Sequence, residues 1–204
     1  MNSYLTDEQK DAMKEIVSIG AGNAATALSQ MLSKRVTIKV PNVNLVTLES
    51  AAEVFGSAET LVIAIYLQLL GDASGVILLS FNKDEAARII GILLGKKPDQ
   101  KSNILSEMAQ SALKETATIL SGAYLGAMGK LLKMRFLVSS PALAQDMAGA
   151  ILNNILIEVA KEADHAIIAA SELNIVDEKI MSYFFFVPDI KSLKQILKKI
   201  GMGA

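Results

Sequence analysis

Residues 11–32, DAMKEIVSIGAGNAATALSQML, and residues 111–132, SALKETATILSGAYLGAMGKLL, are the stretches on which the fold turns. Laid over each other at an offset of 100, they agree at Ala12/Ala112, Lys14/Lys114, Glu15/Glu115, Ile19/Ile119, Gly22/Gly122, Ala27/Ala127 and Leu32/Leu132. These are seven identities in 22 positions, where composition alone gives about one or two. Met13/Leu113, Ser18/Thr118, Leu28/Met128 and Met31/Leu131 are conservative pairs, and the offset still holds at Pro41/Pro141. Self-similarity at a fixed long period marks a duplication. The chain therefore reads as one domain, 1–204, made of two repeats at about 6–95 and 103–200. The polar stretch Lys96-Lys97-Pro98-Asp99-Gln100-Lys101-Ser102 suits the linker between them.

Each repeat predicts the same order of elements. Thr6 followed by Gln9 has the spacing of a capping box and opens a long helix to about Lys34. Val36–Val40 alternates and ends at Pro41, as a strand does. The apolar runs Leu61–Leu70 and Gly75–Phe81, joined by Gly71-Asp72-Ala73-Ser74, predict a hairpin. Lys83–Leu94 has helical spacing and stops at Gly95. In the second repeat Ser106 opens a helix to about Lys133, and Arg135–Val138 is a strand. Ala142–Lys161 is expected to be an extra helix without a counterpart in the first half, with Asp146 accessible in its first turn. His165–Val176 and Lys179–Val187 form a second hairpin, and Ile190–Ile200 is the closing helix. The expected class is α+β: two long helices packed on antiparallel sheet, related by a pseudo-two-fold axis.

Composition narrows the chemistry. Apolar residues make up 51% of the chain and charged ones 20%, enough for a core. Lys+Arg is 20 against Asp+Glu 21, a net charge of −1, without the basic excess of a nucleic-acid binder. The absence of Cys excludes disulfides, thiolate nucleophiles and Cys-ligated metals, and the single His165 reads as structural. Mean hydropathy is +0.38, yet no apolar run approaches the ~20 residues of a membrane-spanning helix. The N-terminus has neither a cationic start nor an apolar core, so the expectation is a cytoplasmic protein without membrane insertion. Gly20-Ala21-Gly22-Asn23-Ala24-Ala25 fits G-x-G-x-x-A. That dinucleotide fingerprint needs a strand immediately before it, and Lys10–Ile19 has a helical pattern. The glycines read instead as thinning one side of a helix so that another backbone approaches.

At 100° per residue, Asp11, Glu15, Ser18 and Gly22 lie on one stripe, opposite Met13, Ile16, Val17, Ala24, Leu28 and Met31. Ser111, Glu115, Thr118 and Gly122 form the same stripe in the second helix, opposite Leu113, Ala117, Leu120, Tyr124 and Leu131. A single exposed Glu is ordinary solvated surface. A Glu kept at one position in two otherwise diverged repeats points to function, because exposure is not a packing requirement.

The spacings Asp11-x3-Glu15-x2-Ser18-x22-Pro41 and Ser111-x3-Glu115-x2-Thr118-x22-Pro141 resemble the twice-repeated [DS]-x3-E-x2-N-x22-P pattern of CheC-type chemotaxis phosphatases. Ile19–Ala27 and Pro41-Asn42-Val43 extend the resemblance. Leu143-Ala144-Gln145-Asp146-Met147 resembles the start of the helix with which family members dock the receptor deamidase CheD. The resemblance implies removal of the phosphoryl group from a phosphorylated CheY-like response regulator, by what is expected to be a pseudo-two-fold monomer. Glu15 and Glu115 would pair with a regulator lysine, and the motif's Asn would orient the attacking water. The regulator would supply Mg²⁺, so no cofactor of the chain's own is expected. Asp11, Ser111 and Asp146 are the accompanying binding residues.

The departure is at the Asn itself, replaced by Ser18 and Thr118. A hydroxyl holds a water further back than an amide does, and a displacement of about 1 Å costs ~10²-fold in rate. The expectation is weakened dephosphorylation with regulator docking retained. The alternatives are a non-catalytic module that docks a CheY-like regulator or CheD, and a structural relative used in a flagellar switch. Asn23 does not stand in for the missing amide, since it lies about 80° round the helix from Glu15.

Overall fold

The computed structural model of the chain describes residues 6–47, 50–95, 106–159, 165–175 and 178–202. Its elements run α1 (Asp7–Leu32), β1 (Val36–Thr47), a 3-10 turn (Ser50–Phe55), β2 (Leu61–Gly71), β3 (Gly75–Asn82), α2 (Lys83–Leu93) and α3 (Glu107–Leu132). There follow β4 (Phe136–Val138), β5 (Ala142–Met147), α4 (Ala148–Val159), β6 (His165–Ile175), β7 (Glu178–Pro188) and α5 (Ile190–Lys199). The expected linker at 96–102 lies outside the described residues, as does the His165 side chain.

α1 and α3 have the same length, 26 residues, and the same offset of 100. Thr6 Oγ1 accepts the Gln9 N–H at 3.2 Å while Gln9 Oε1 accepts the Thr6 N–H at 2.8 Å. Ser106 caps α3 by accepting the Ala109 N–H at 3.3 Å. Both helices end on a left-handed residue, Ser33 and Lys133, which turns the chain back towards the sheet.

Among the described residues the sheet has seven strands in the order β1-β6-β7-β3-β2-β4, with β5 also on β2. Each repeat gives its first strand to the other: β1 pairs with β6, and β4 and β5 pair with β2. The pseudo-two-fold passes between β3 and β7 at the centre. β1 was expected to end at Pro41, yet it continues to Thr47. Its register to β6 slips between Lys39↔Glu172 and Asn42↔Ala170, a bulge that spares the proline a ladder bond. At Pro141 the second repeat breaks into two strands, β4 and β5.

β2 is buried on both faces. Ile63, Ile65, Leu67 and Leu69 join the main core with Met13, Leu28, Leu113 and Met128 from α1 and α3. Val62 and Ala64 face a second core with Phe55 from the 3-10 turn and Ile151, Leu152 and Ile155 from α4. α1 meets α3 at Gly20, where a Cβ would stand 2.6 Å from Tyr124 Cδ1. The Tyr124 ring stacks in turn on Phe184, with centroids 4.2 Å apart. Gly20-Ala21-Gly22 is thus interior helix, and Gly20 permits the close approach.

Three expectations need correction. Ala142–Met147 is a strand hydrogen-bonded to β2, with Asp146 opposite Val62, and the helix starts only at Ala148. The six-residue stretch alternates in exposure, and the open edge of β2 supplies its partner. Nor does α4 lack a counterpart, because the 3-10 turn Ser50–Phe55 occupies the corresponding place in the first repeat and fills the same core. Leu131, expected on the buried side of α3, is 51% exposed in the helix's last turn, past the cover that buries Tyr124.

Candidate functional site

Asp11 and Glu15 stand exposed on α1, Ser18 is half-buried beside them, and Gly22 is exposed one turn on. Ser111, Glu115, Thr118 and Gly122 repeat the arrangement on α3. Residues three and four apart on a helix are neighbours, so each stripe presents a carboxylate and a hydroxyl side by side. The opposite faces carry Met13, Ile16 and Val17 on α1 and Leu113, Ala117 and Leu120 on α3, all in the core, so packing fixes the direction in which each stripe points.

The carboxylates are uncommitted. The ion pairs among the described residues are Lys10–Asp7, Arg88–Glu85 and Lys179–Glu172, and none includes Asp11, Glu15 or Glu115. The two hydroxyls differ. Thr118 Oγ1 donates to the Lys114 carbonyl at 2.9 Å, back along its own helix, which leaves only its lone pairs for an outside water. Ser18 makes no such bond among the described residues. Asn23 Nδ2 donates to the Ile19 carbonyl at 2.9 Å, so that amide is likewise turned onto its helix. Asp146 stands apart from both stripes: it is exposed on β5, and its Oδ1 accepts the Met147 N–H at 2.8 Å.

Sequence reasoning stopped each stripe one turn short. The three–four spacing extends back to Glu8 in the first repeat and Met108 in the second, and Met108 is 63% exposed. The first stripe thus carries three carboxylates, the second one carboxylate and a bare methionine. Among the described residues no helix is long and apolar enough to cross a membrane.

The seven-stranded sheet with strands exchanged between repeats, carrying twin helices on one face, is the fold of the X-ray structure of Thermotoga maritima FliY. The two superpose with a TM-score of 0.81 at 21% identity, over 99% of this chain and 100% of that one. A model of the CheC-like family matches residues 8–45, the segment holding the first stripe. Over 203 residues the chain is 31% identical to the CheY-P phosphatase CheC of Bacillus subtilis (strain 168), covering 97% of this chain and 96% of that protein. It is also 27% identical over 137 residues to the flagellar motor switch phosphatase FliY of the same bacterium, covering 67% of this chain and 35% of FliY. The chain belongs to the CheC-like family.

Proposed function

We propose that this protein docks a phosphorylated CheY-like response regulator through the stripes of α1 and α3 and hydrolyses its aspartyl phosphate weakly. The observation that carries the reading is the twin placement of Glu15 and Glu115, exposed and without an ion pair, at one offset on two helices. A carboxylate held that way is a docking charge waiting for a cation, and a regulator lysine is its partner here. In the reaction a water oxygen bonds to phosphorus as the bond from phosphorus to the aspartyl oxygen breaks. Inorganic phosphate leaves, the regulator's carboxylate is restored, and the water gives up its proton. The divalent cation at the phosphoryl group is the regulator's own, so this chain's share is position.

That share is where Ser18 and Thr118 fall short. An Asn amide reaches further and offers both a donor and an acceptor, whereas the Thr118 proton is already given to Lys114. Phosphate release from a CheY-like regulator phosphorylated with acetyl phosphate tests this directly. Ser18→Asn and Thr118→Asn are expected to raise the rate by roughly 10-fold or more. Glu15→Ala and Glu115→Ala are expected to weaken regulator binding in either background. A wild-type rate that the Asn substitutions do not change shows that the hydroxyls suffice.

The second reading is a non-catalytic adaptor for CheD. It is favoured by the exposure of Asp146 and Met147 on β5, a strand whose outer edge is unpaired among the described residues.

A further inference from the structure

The line through Ser111, Glu115, Thr118 and Gly122 does not stop there. Gly126, Gly129 and Lys133 follow at the same three–four spacing, and the helix face opens into a groove of about 530 Å³ beside the Asp72 turn and the start of β4. Gly126 leaves it open, since a Cβ there would meet nothing within 4 Å. At Gly129 a Cβ would stand 2.6 Å from the Met134 carbonyl oxygen, so the glycine lets the chain after α3 lie close against the helix on one side of the groove. Leu125 and Phe136 lie along the floor, and Lys130, Lys133 and Arg135 stand exposed around it.

None of the three cations has an ion pair among the described residues. The carboxylate that lines the groove, Asp72, is committed to the backbone. Its Oδ2 accepts the Arg135 N–H at 2.7 Å, and its own N–H donates to the Arg135 carbonyl at 2.8 Å. Cations near a helix C-terminus offset the helix dipole, which accounts for Lys130 and for Lys133 at the C-cap but not for Arg135. Lys133 is the left-handed residue past the helix, and Arg135 precedes β4. At the offset of 100 Arg35 repeats Arg135, whereas Gln30 and Ser33 stand where Lys130 and Lys133 do, so those two lysines are particular to the second repeat. A chain of net charge −1 has gathered three unpaired cations around an apolar floor.

We propose that this groove is a second docking surface, which takes an acidic peptide segment of a partner protein with one apolar side chain seated against the half-buried Phe136. The charge complementarity selects the acidic residues. The groove begins one turn past Gly122, and Lys130 lies about 22 Å along the helix axis from Glu115, so substitutions separate the two sites.

Fluorescence anisotropy with the intact protein and a short fluorescein-labelled peptide, glutamates flanking one leucine, tests it. Saturable binding is expected, weakening as salt is raised. The double variant Lys130→Glu/Lys133→Glu is expected to lose about 10-fold or more in affinity. Gly126→Trp, which fills the groove and leaves every charge in place, is expected to lose as much. Replacing the peptide's leucine by serine should weaken binding, and Glu115→Ala should leave it unchanged. The proposal is overturned if wild type shows no saturable binding, if charge reversal has no effect, or if a peptide with lysines for glutamates binds equally well. Lys130-dependent co-sedimentation with phosphatidylserine vesicles in the absence of peptide binding overturns it in favour of a membrane surface.

Discussion

Gly20 and Gly22 are the same residue two positions apart in one helix, and they answer to different neighbours. A methyl group at Gly20 runs into the Tyr124 ring, which is itself held against Phe184, so neither partner can give. A methyl group at Gly22 meets nothing. Gly20→Ala should therefore destabilise the protein by about 1–3 kcal/mol, the usual cost of overpacking a filled core. Gly22→Ala should stabilise it by about 0.5–1 kcal/mol by removing a flexible residue from a helix interior. Urea denaturation of the two variants checks both signs at once, and equal shifts would show that α1 slides to relieve the contact. The sequence already told against a dinucleotide loop at these glycines, because helical periodicity precedes them. It could not tell which glycine faced α3, since that depends on Tyr124, more than a hundred residues away.

Among the elements, the ones legible in the sequence are those whose signals are local. The capping box of Thr6 and Gln9, the hairpin turn at Gly71–Ser74 and the matched lengths of α1 and α3 all rest on residues close in the chain or on one fixed offset. β5 was not legible. Ala142–Met147 is short, with four apolar residues in six, and what makes it a strand is the vacant edge of β2, some 80 residues earlier in sequence. The misreading changes what Asp146 does. In a first helical turn its carboxylate would complement the dipole, and Lys there would strain the helix. On an edge strand Lys is well tolerated and even discourages unwanted pairing. Asp146→Lys is thus expected to keep the wild-type melting temperature. If CheD binds through this strand, the variant should lose CheD in a pull-down while still capturing the phosphorylated regulator. Undiminished CheD capture would remove β5 from that role. The groove at Lys130–Arg135 escaped sequence reading for a related reason: its cations straddle a helix end and a strand, and no single period connects them.

For the molecule as a whole, the exchange of β1 and of β4 with β5 means that neither repeat completes its own sheet. β1 without β6, and β2 without β4 and β5, would expose ladders and apolar faces to water. Residues 1–95 and 103–204 produced as separate fragments are expected to show little cooperative unfolding by circular dichroism, and to regain it when mixed in equal amounts. A cooperative melt from either fragment alone would show that a repeat folds independently. Most of the sheet's pairings join residues distant in the chain, so loop closure comes before the contacts that reward it, and slow folding follows.

The Gln9 side chain donates to the Met202 carbonyl at 2.8 Å, so the first turn of α1 and the end of the last helix touch. Where the first and the last helix meet across a near-symmetric body, the order of the repeats is a matter of bookkeeping in the gene. Joining Met202 to Thr6 by a short linker and reopening the chain between Gly95 and Ser106 would turn the molecule into its own circular permutant. The strand order, both cores and both stripes would stay as they are, with first and second repeat exchanging names.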